Sequence, residues 1–234
     1  MSDLTAAFST AVSLILSLDS DLVEIILLSL RVSGSAVVLA ALVGLPLGAA
    51  IGVLRFRGRR ALVVLLNASM GLPPVVVGLL VYLMLSRSGP LGWLGLLFTP
   101  GAMVIAQTLL VTPIVAALTR QAIEDLSEEY DEPLRSLGAS FPQRVATLLY
   151  EGRLSLATTL LAGFGRAIAE VGAVIIVGGN IAHVTRVMTT AIALETSRGD
   201  LPLALGLGLV LVGIAIVVNG CAQWMQEVAR RAAA

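Results

Sequence analysis

The sequence contains no lysine: all fifteen basic residues are arginine. With no lysine, no glycine run is followed by the Gly-Lys-Ser/Thr of a phosphate loop, so nucleotide hydrolysis has no seat in this chain. His183 is the single histidine, which leaves neither a histidine-based metal site nor a Ser-His-Asp triad to assemble. Cys221 is the single cysteine, so no intrachain disulfide can form; its place in an apolar run reads as a small buried hydrophobe. Charge is scarce at 13% of residues, against about 25% in a soluble domain, and the net charge is zero. The balance offers nucleic acid nothing. No catalytic residue, metal ligand set or resident cofactor is expected.

What fills the chain instead is apolar residues, 57% of the total. That proportion cannot be covered in water and points to an all-α integral membrane protein. A helix needs about 20 apolar residues to cross the hydrocarbon core. Residues 26–54, 61–86, 101–119, 154–181 and 201–226 each supply such a run. The segment from Leu4 to Leu18 is apolar but short, and it lacks the basic start and cleavage site of a signal peptide. It reads as an interfacial segment over residues 1–21, ahead of a transmembrane domain over 22–234. Five transmembrane helices are expected, or six if the first segment inserts.

The arginines set an orientation. Arg55, Arg57, Arg59, Arg60, Arg120, Arg135, Arg144, Arg153, Arg230 and Arg231 fall on one side, and Arg31, Arg87, Arg186 and Arg198 on the other. Ten against four puts the C-terminus and the long polar loop, residues 120–153, in the cytoplasm. With five spans the N-terminus lies outside.

In that loop Leu126-Ser127-Glu128-Glu129 looks like a helix start with Ser127 as cap, and Gly138 like a stop. A short amphipathic surface helix over about residues 128–137 is expected. The stretch Glu132-Pro133-Leu134-Arg135-Ser136-Leu137-Gly138-Ala139-Ser140 resembles the EAA loop of binding-protein-dependent ABC importer permeases. The spacing from Glu132 to Gly138 matches, although Pro133 and Leu134 stand where the family has alanines. The usual hydrophobic-Leu-Pro ending is replaced by Leu148-Leu149-Tyr150-Glu151-Gly152.

The resemblance implies a type I ABC importer permease fold, with Asp131, Glu132, Arg135, Leu137, Gly138 and Ala139 docking on a separate cytoplasmic ATPase that carries ATP and magnesium. It also implies an extracytoplasmic binding protein, a second copy of the chain, and an inner-membrane location. Ser29 to Gly34, Met70 to Leu79, Leu85 to Gly92, Ala106-Gln107-Thr108 and Gly163 to Ala173 are similar, in order, to the tungstate permease branch. Molybdate and sulfate permeases are near relatives. The implied cargo is therefore an oxyanion, tungstate first, with molybdate or sulfate as the alternative.

Physics adds candidate pathway elements. Arg166 and Glu170, four residues apart inside the fourth run, should share a helix face, pair, and face the protein interior. They read equally as a structural ion pair or as part of an anion path. Gly71-Leu72-Pro73-Pro74 should break the second run, as a gate element or as a repaired kink. Gly163, Gly165, Gly172, Gly178, Gly179, Gly206 and Gly208 suggest close helix packing. Two other classes compete, an intramembrane enzyme and a structural or sensor membrane protein. The first lacks a second acid or a nucleophile near Glu170. The second leaves the helix break and the buried pair without a task.

Overall fold

The computed structural model describes the backbone of residues 2–233 and the side chains of residues 6–130 and 132–228. Its helices are α1 Ser2–Leu16, α2 Ser20–Val53, α3 Arg59–Met70, α4 Pro74–Leu85, α5 Pro100–Ser136, α6 Phe141–Glu151, α7 Arg153–Ile168, α8 Gly172–Gly178, α9 Met188–Arg198 and α10 Leu201–Ala233. A 3₁₀ turn, Gly92–Leu94, lies between α4 and α5. No strand occurs among the described residues. Three helices, α2, α5 and α10, are long and apolar enough to cross a membrane. The count rises to five if the pairs α3 with α4 and α7 with α8, each bent at a short break, are taken as one span apiece.

Each expected run maps onto this list, with departures at two breaks and at the end of the third run. Residues 61–86 form two helices because Pro73 and Pro74 lack the N–H groups a continuing helix needs. Pro74 starts α4, and Pro73 precedes it in extended backbone (φ −63°, ψ 122°). Residues 154–181 are likewise interrupted, at 169–171. The separate surface helix expected over residues 128–137 does not exist. Its residues belong to α5, and Ser127 is buried in mid-helix instead of capping one. No glycine or proline interrupts residues 114–132, and Ile123, Leu126, Tyr130 and Leu134 continue an inward stripe at helical spacing. The first segment is a true helix, α1, with Ala7 and Ala11 buried and Phe8 and Leu16 exposed. Cys221 is exposed on α10, not buried.

The chain forms two compact units, each assembled from separated stretches. One comprises residues 1–36, 73–107 and 166–217. Within it, Gly78 of α4 meets α8 so closely that an added Cβ would lie 2.7 Å from Ala173 Cα, and Gly178 packs on Met103. The other comprises residues 37–72, 108–165 and 218–234. There Gly44, Gly48 and Gly52 repeat every fourth residue along α2 and abut Val115, Ala116 and Ile123 of α5. This is the small-residue seam that lets membrane helices approach backbone to backbone. Gly163, Gly172, Gly179 and Gly206 are in close contacts as expected, but Gly165 and Gly208 face open space.

The contrast gives a test. Gly78→Ala forces a methyl against backbone that cannot swing aside, and should cost about 1–3 kcal/mol. Gly208→Ala meets nothing within 4 Å and should be neutral or gain up to about 1 kcal/mol from helix propensity. Thermal unfolding in detergent separates the two.

Candidate functional site: the Gly138 turn and the broken helices

The end of α5 is closed by a turn built on Gly138. The amide of Ala139 donates to Leu134 O at 3.0 Å and that of Gly138 to Arg135 O at 2.9 Å, while Gly138 takes φ +73°. This is a glycine-terminated helix end, and the positive φ is the reason glycine stands there. Ser140 then starts α6, its N–H and hydroxyl both donating to Gln143 Oε1 at 2.8 Å. The hairpin is anchored from beneath. Leu148 of α6 is fully buried with Ala49, Val53 and Ile123, and Leu126, Tyr130, Leu134, Val145 and Leu149 pack around them. Two arginines, Arg59 and Arg120, share the carboxylate of Glu124, and Arg59 Nε also donates to Ile51 O at 3.0 Å. The end of α2 and the start of α3 are thereby tied to the later part of α5.

Of the residues expected to dock, Glu132, Arg135, Leu137 and Gly138 are exposed, and Ala139 is half-buried. The side chain of Asp131 lies outside the described residues. Leu137 carries the most information. It is 83% exposed at the tip of a polar turn, although Leu134, one turn earlier, faces the core.

Around the second break, Glu170 is 4% exposed and pairs with Arg166. The expected pairing is present; the expected shared helix face is not, because α7 ends at Ile168 and Glu170 stands in the break. From there Glu170 Oε1 accepts the N–H of Ala173 at 3.2 Å, in the first turn of α8. Its carbonyl accepts the Thr189 hydroxyl at 2.8 Å, and Gln107 Nε2 donates to Ala167 O at 3.0 Å. These bonds satisfy backbone groups that the break strips from the helix. The sequence gives no warning of Thr189. Gln107 stands out only through the stretch it shares with the tungstate branch.

At the first break, Gly71 adopts an ordinary conformation (φ −91°, ψ 8°), and a Cβ there would meet only Ala68 O, at 3.5 Å. The break therefore belongs to Pro73 and Pro74. Away from both breaks, His183 hydrogen-bonds Glu24 at 2.8 Å, which holds the imidazole pKa above its ordinary value.

Alternately broken and continuous apolar helices, with a solvent-facing turn anchored on a rigid base, describe a membrane transport subunit. The family of binding-protein-dependent transport system inner membrane components matches residues 44–233, and the chain belongs to it. The chain is similar to the tungstate uptake system permease protein TupB of Peptoclostridium acidaminophilum, 42% identical over 97% of this chain and 100% of that one. It is 39% identical to the protein of the same name from Campylobacter jejuni, over 91% of this chain and 89% of that one. The molybdenum transport system permease protein ModB of Escherichia coli is 30% identical over 90% and 96% of the two chains. The protein is thus an inner-membrane transport permease subunit.

Proposed function

We propose that the chain forms the membrane path of an importer that brings a tetrahedral oxyanion, tungstate first, into the cytoplasm. The observation that carries the reading is the 42% identity to a tungstate uptake permease over essentially both whole chains, against 30% to the molybdenum permease. A separate ATPase supplies the energy, with ATP and magnesium bound on that partner. The turn at residues 136–140 is the ATPase docking point, with Asp131, Glu132, Arg135, Leu137, Gly138 and Ala139 as its contact set. An extracytoplasmic binding protein delivers the anion. The C-terminus and the turn face the cytoplasm, in keeping with the ten-to-four distribution of arginines. Residues 1–21 serve as an interfacial segment ahead of the permease domain.

Two copies assemble, because one turn per chain docks one ATPase and hydrolysis needs two. Only 17% of the apolar window of α10 is buried, against 50% for α2 and α5, which leaves that face for lipid or a second copy. Pro73 and Pro74 mark one gate element, and Arg166 with Glu170 another.

The test is ATP-driven uptake into vesicles containing the assembled complex, with tungstate, molybdate and sulfate offered on the binding protein. Tungstate uptake exceeding the other two is the expected result. Equal or greater molybdate uptake would move the assignment to the molybdate relatives. No uptake of any oxyanion by an assembled, ATP-hydrolysing complex would overturn the reading.

A further inference from the structure

Arg31 lies on α2 between Leu30 and Val32, inside the apolar run. Unlike Arg59, Arg120, Arg166, Arg186 and Arg198, it has no carboxylate partner among the described residues. An unpaired guanidinium in an apolar span is costly, and such residues are retained where they meet water or an ion path.

Arg31 borders a half-open cavity of about 400 Å³. Ser35, one turn further along α2, lines the same cavity, with Leu28 and Val32 on one wall and Pro100 and Gly101 on the other. All of these residues belong to one compact unit. The lining offers one cation, one hydroxyl and no carboxylate. The cavity beside His183 differs, with Asp21 and Glu24 in its wall together with Arg186. At ~30 Å³ per water, the Arg31 cavity holds a tetrahedral oxyanion with part of its hydration shell. Because Pro100 begins the long apolar helix α5, the cavity lies at the end of that span.

We propose that Arg31 and Ser35 form a binding station for a dianionic oxyanion at the mouth of the path, a weak site that strips part of the water shell before the anion moves inward. The proposal rests on the import reading above and adds a site to it. Arg31 supplies the counter-charge, Ser35 donates a hydrogen bond, and Gly101 leaves the wall free of side chain. With a single cation and one hydroxyl, the site releases the anion readily, as conduction requires.

The experiment uses the assembled complex in vesicles, in a Cys221→Ala background, with Arg31→Cys as the test variant. A cationic methanethiosulfonate should restore tungstate uptake, and an anionic reagent of similar size should not. Before modification, uptake should fall about tenfold or more, since the lining loses its one cation, worth about 1.4 kcal/mol or more beside a dianion. ATP hydrolysis stimulated by the binding protein should persist throughout. Modification follows folding, so a purely structural arginine would leave the two reagents equal in effect, and that equality overturns the proposal. Unchanged uptake in unmodified Arg31→Cys overturns it as well. If Arg31→Cys does not assemble, Ser35→Ala and Ser35→Asp decide the matter, with the aspartate expected to lower uptake much further than the alanine. Absence of oxyanion uptake in the parent complex would instead refute the import reading beneath it.

Discussion

Arg166→Ala is expected to destabilise the protein far more than Arg166→Ala combined with Glu170→Gln. The single change leaves the Glu170 carboxylate, 4% exposed, without its counter-charge, at a cost of roughly 3–5 kcal/mol in comparable buried pairs. Unlike alanine, glutamine keeps a carbonyl oxygen that can accept the Ala173 N–H, so the double variant removes the orphaned charge and retains the cap on α8. It should lie within about 1 kcal/mol of wild type. Thermal unfolding in detergent measures the stabilities, and oxyanion uptake in vesicles measures the second role. Recovery of both stability and uptake in the double variant makes the pair structural. Recovery of stability alone shows that Arg166 also acts on the anion. A single variant as stable as wild type would mean that the two side chains do not pair in the membrane.

The coupling turn carries the second large effect. Leu137→Arg should leave the fold intact, since the side chain is 83% exposed and its loss uncovers no core. It should weaken capture of the ATPase by about 30-fold or more, the loss of roughly 2 kcal/mol or more typical of a buried apolar anchor at an interface. Gly138→Val acts differently. A β-branched residue at φ +73° strains the backbone by at least ~1–2 kcal/mol and opens the turn itself. Gly138→Asn, tolerated in that conformation, should rescue much of the loss. Co-purification of the ATPase with each variant, followed by uptake, checks these outcomes. Full capture by Leu137→Arg would make the turn a plain connector.

The apolar runs, the turn glycine and the Arg166–Glu170 partnership could all be read from residue order. Hydrophobicity over 20 residues, a positive-φ glycine and two opposite charges four apart are local signals. The interruptions were harder. Pro73 and Pro74 announce one break, because a missing N–H is a property of the residue. The break at 169–171 has no proline. It is held locally by the Ala173 amide and by Gln107 and Thr189, whose contacts join stretches far apart in sequence that no window reveals. The extension of α5 through Ser127 was missed for a related reason. A serine followed by acids is a valid cap pattern, but the inward stripe of Ile123, Leu126, Tyr130 and Leu134 outweighs it once α6 is there to pack against. The seam of Gly44, Gly48 and Gly52 has a regular four-residue spacing, but among 23 glycines that spacing alone does not single it out.

The length of α5 sets a distance. Its 37 residues measure about 55 Å at 1.5 Å each, whereas the hydrocarbon core is ~30 Å thick. If the span is counted from Pro100, its first 20 residues end at Thr119, and the next residue is the charged Arg120. The remaining stretch to Ser136 carries the turn about 25 Å past the edge of the hydrocarbon, somewhat less with tilt. That is some three Debye lengths at physiological salt, each ~8 Å. A protein seated on the turn thus stands clear of the headgroup potential. On the docking proposed above, its grip would answer to Glu132, Arg135 and Leu137, and the fraction of anionic lipid in the bilayer would have little purchase on it.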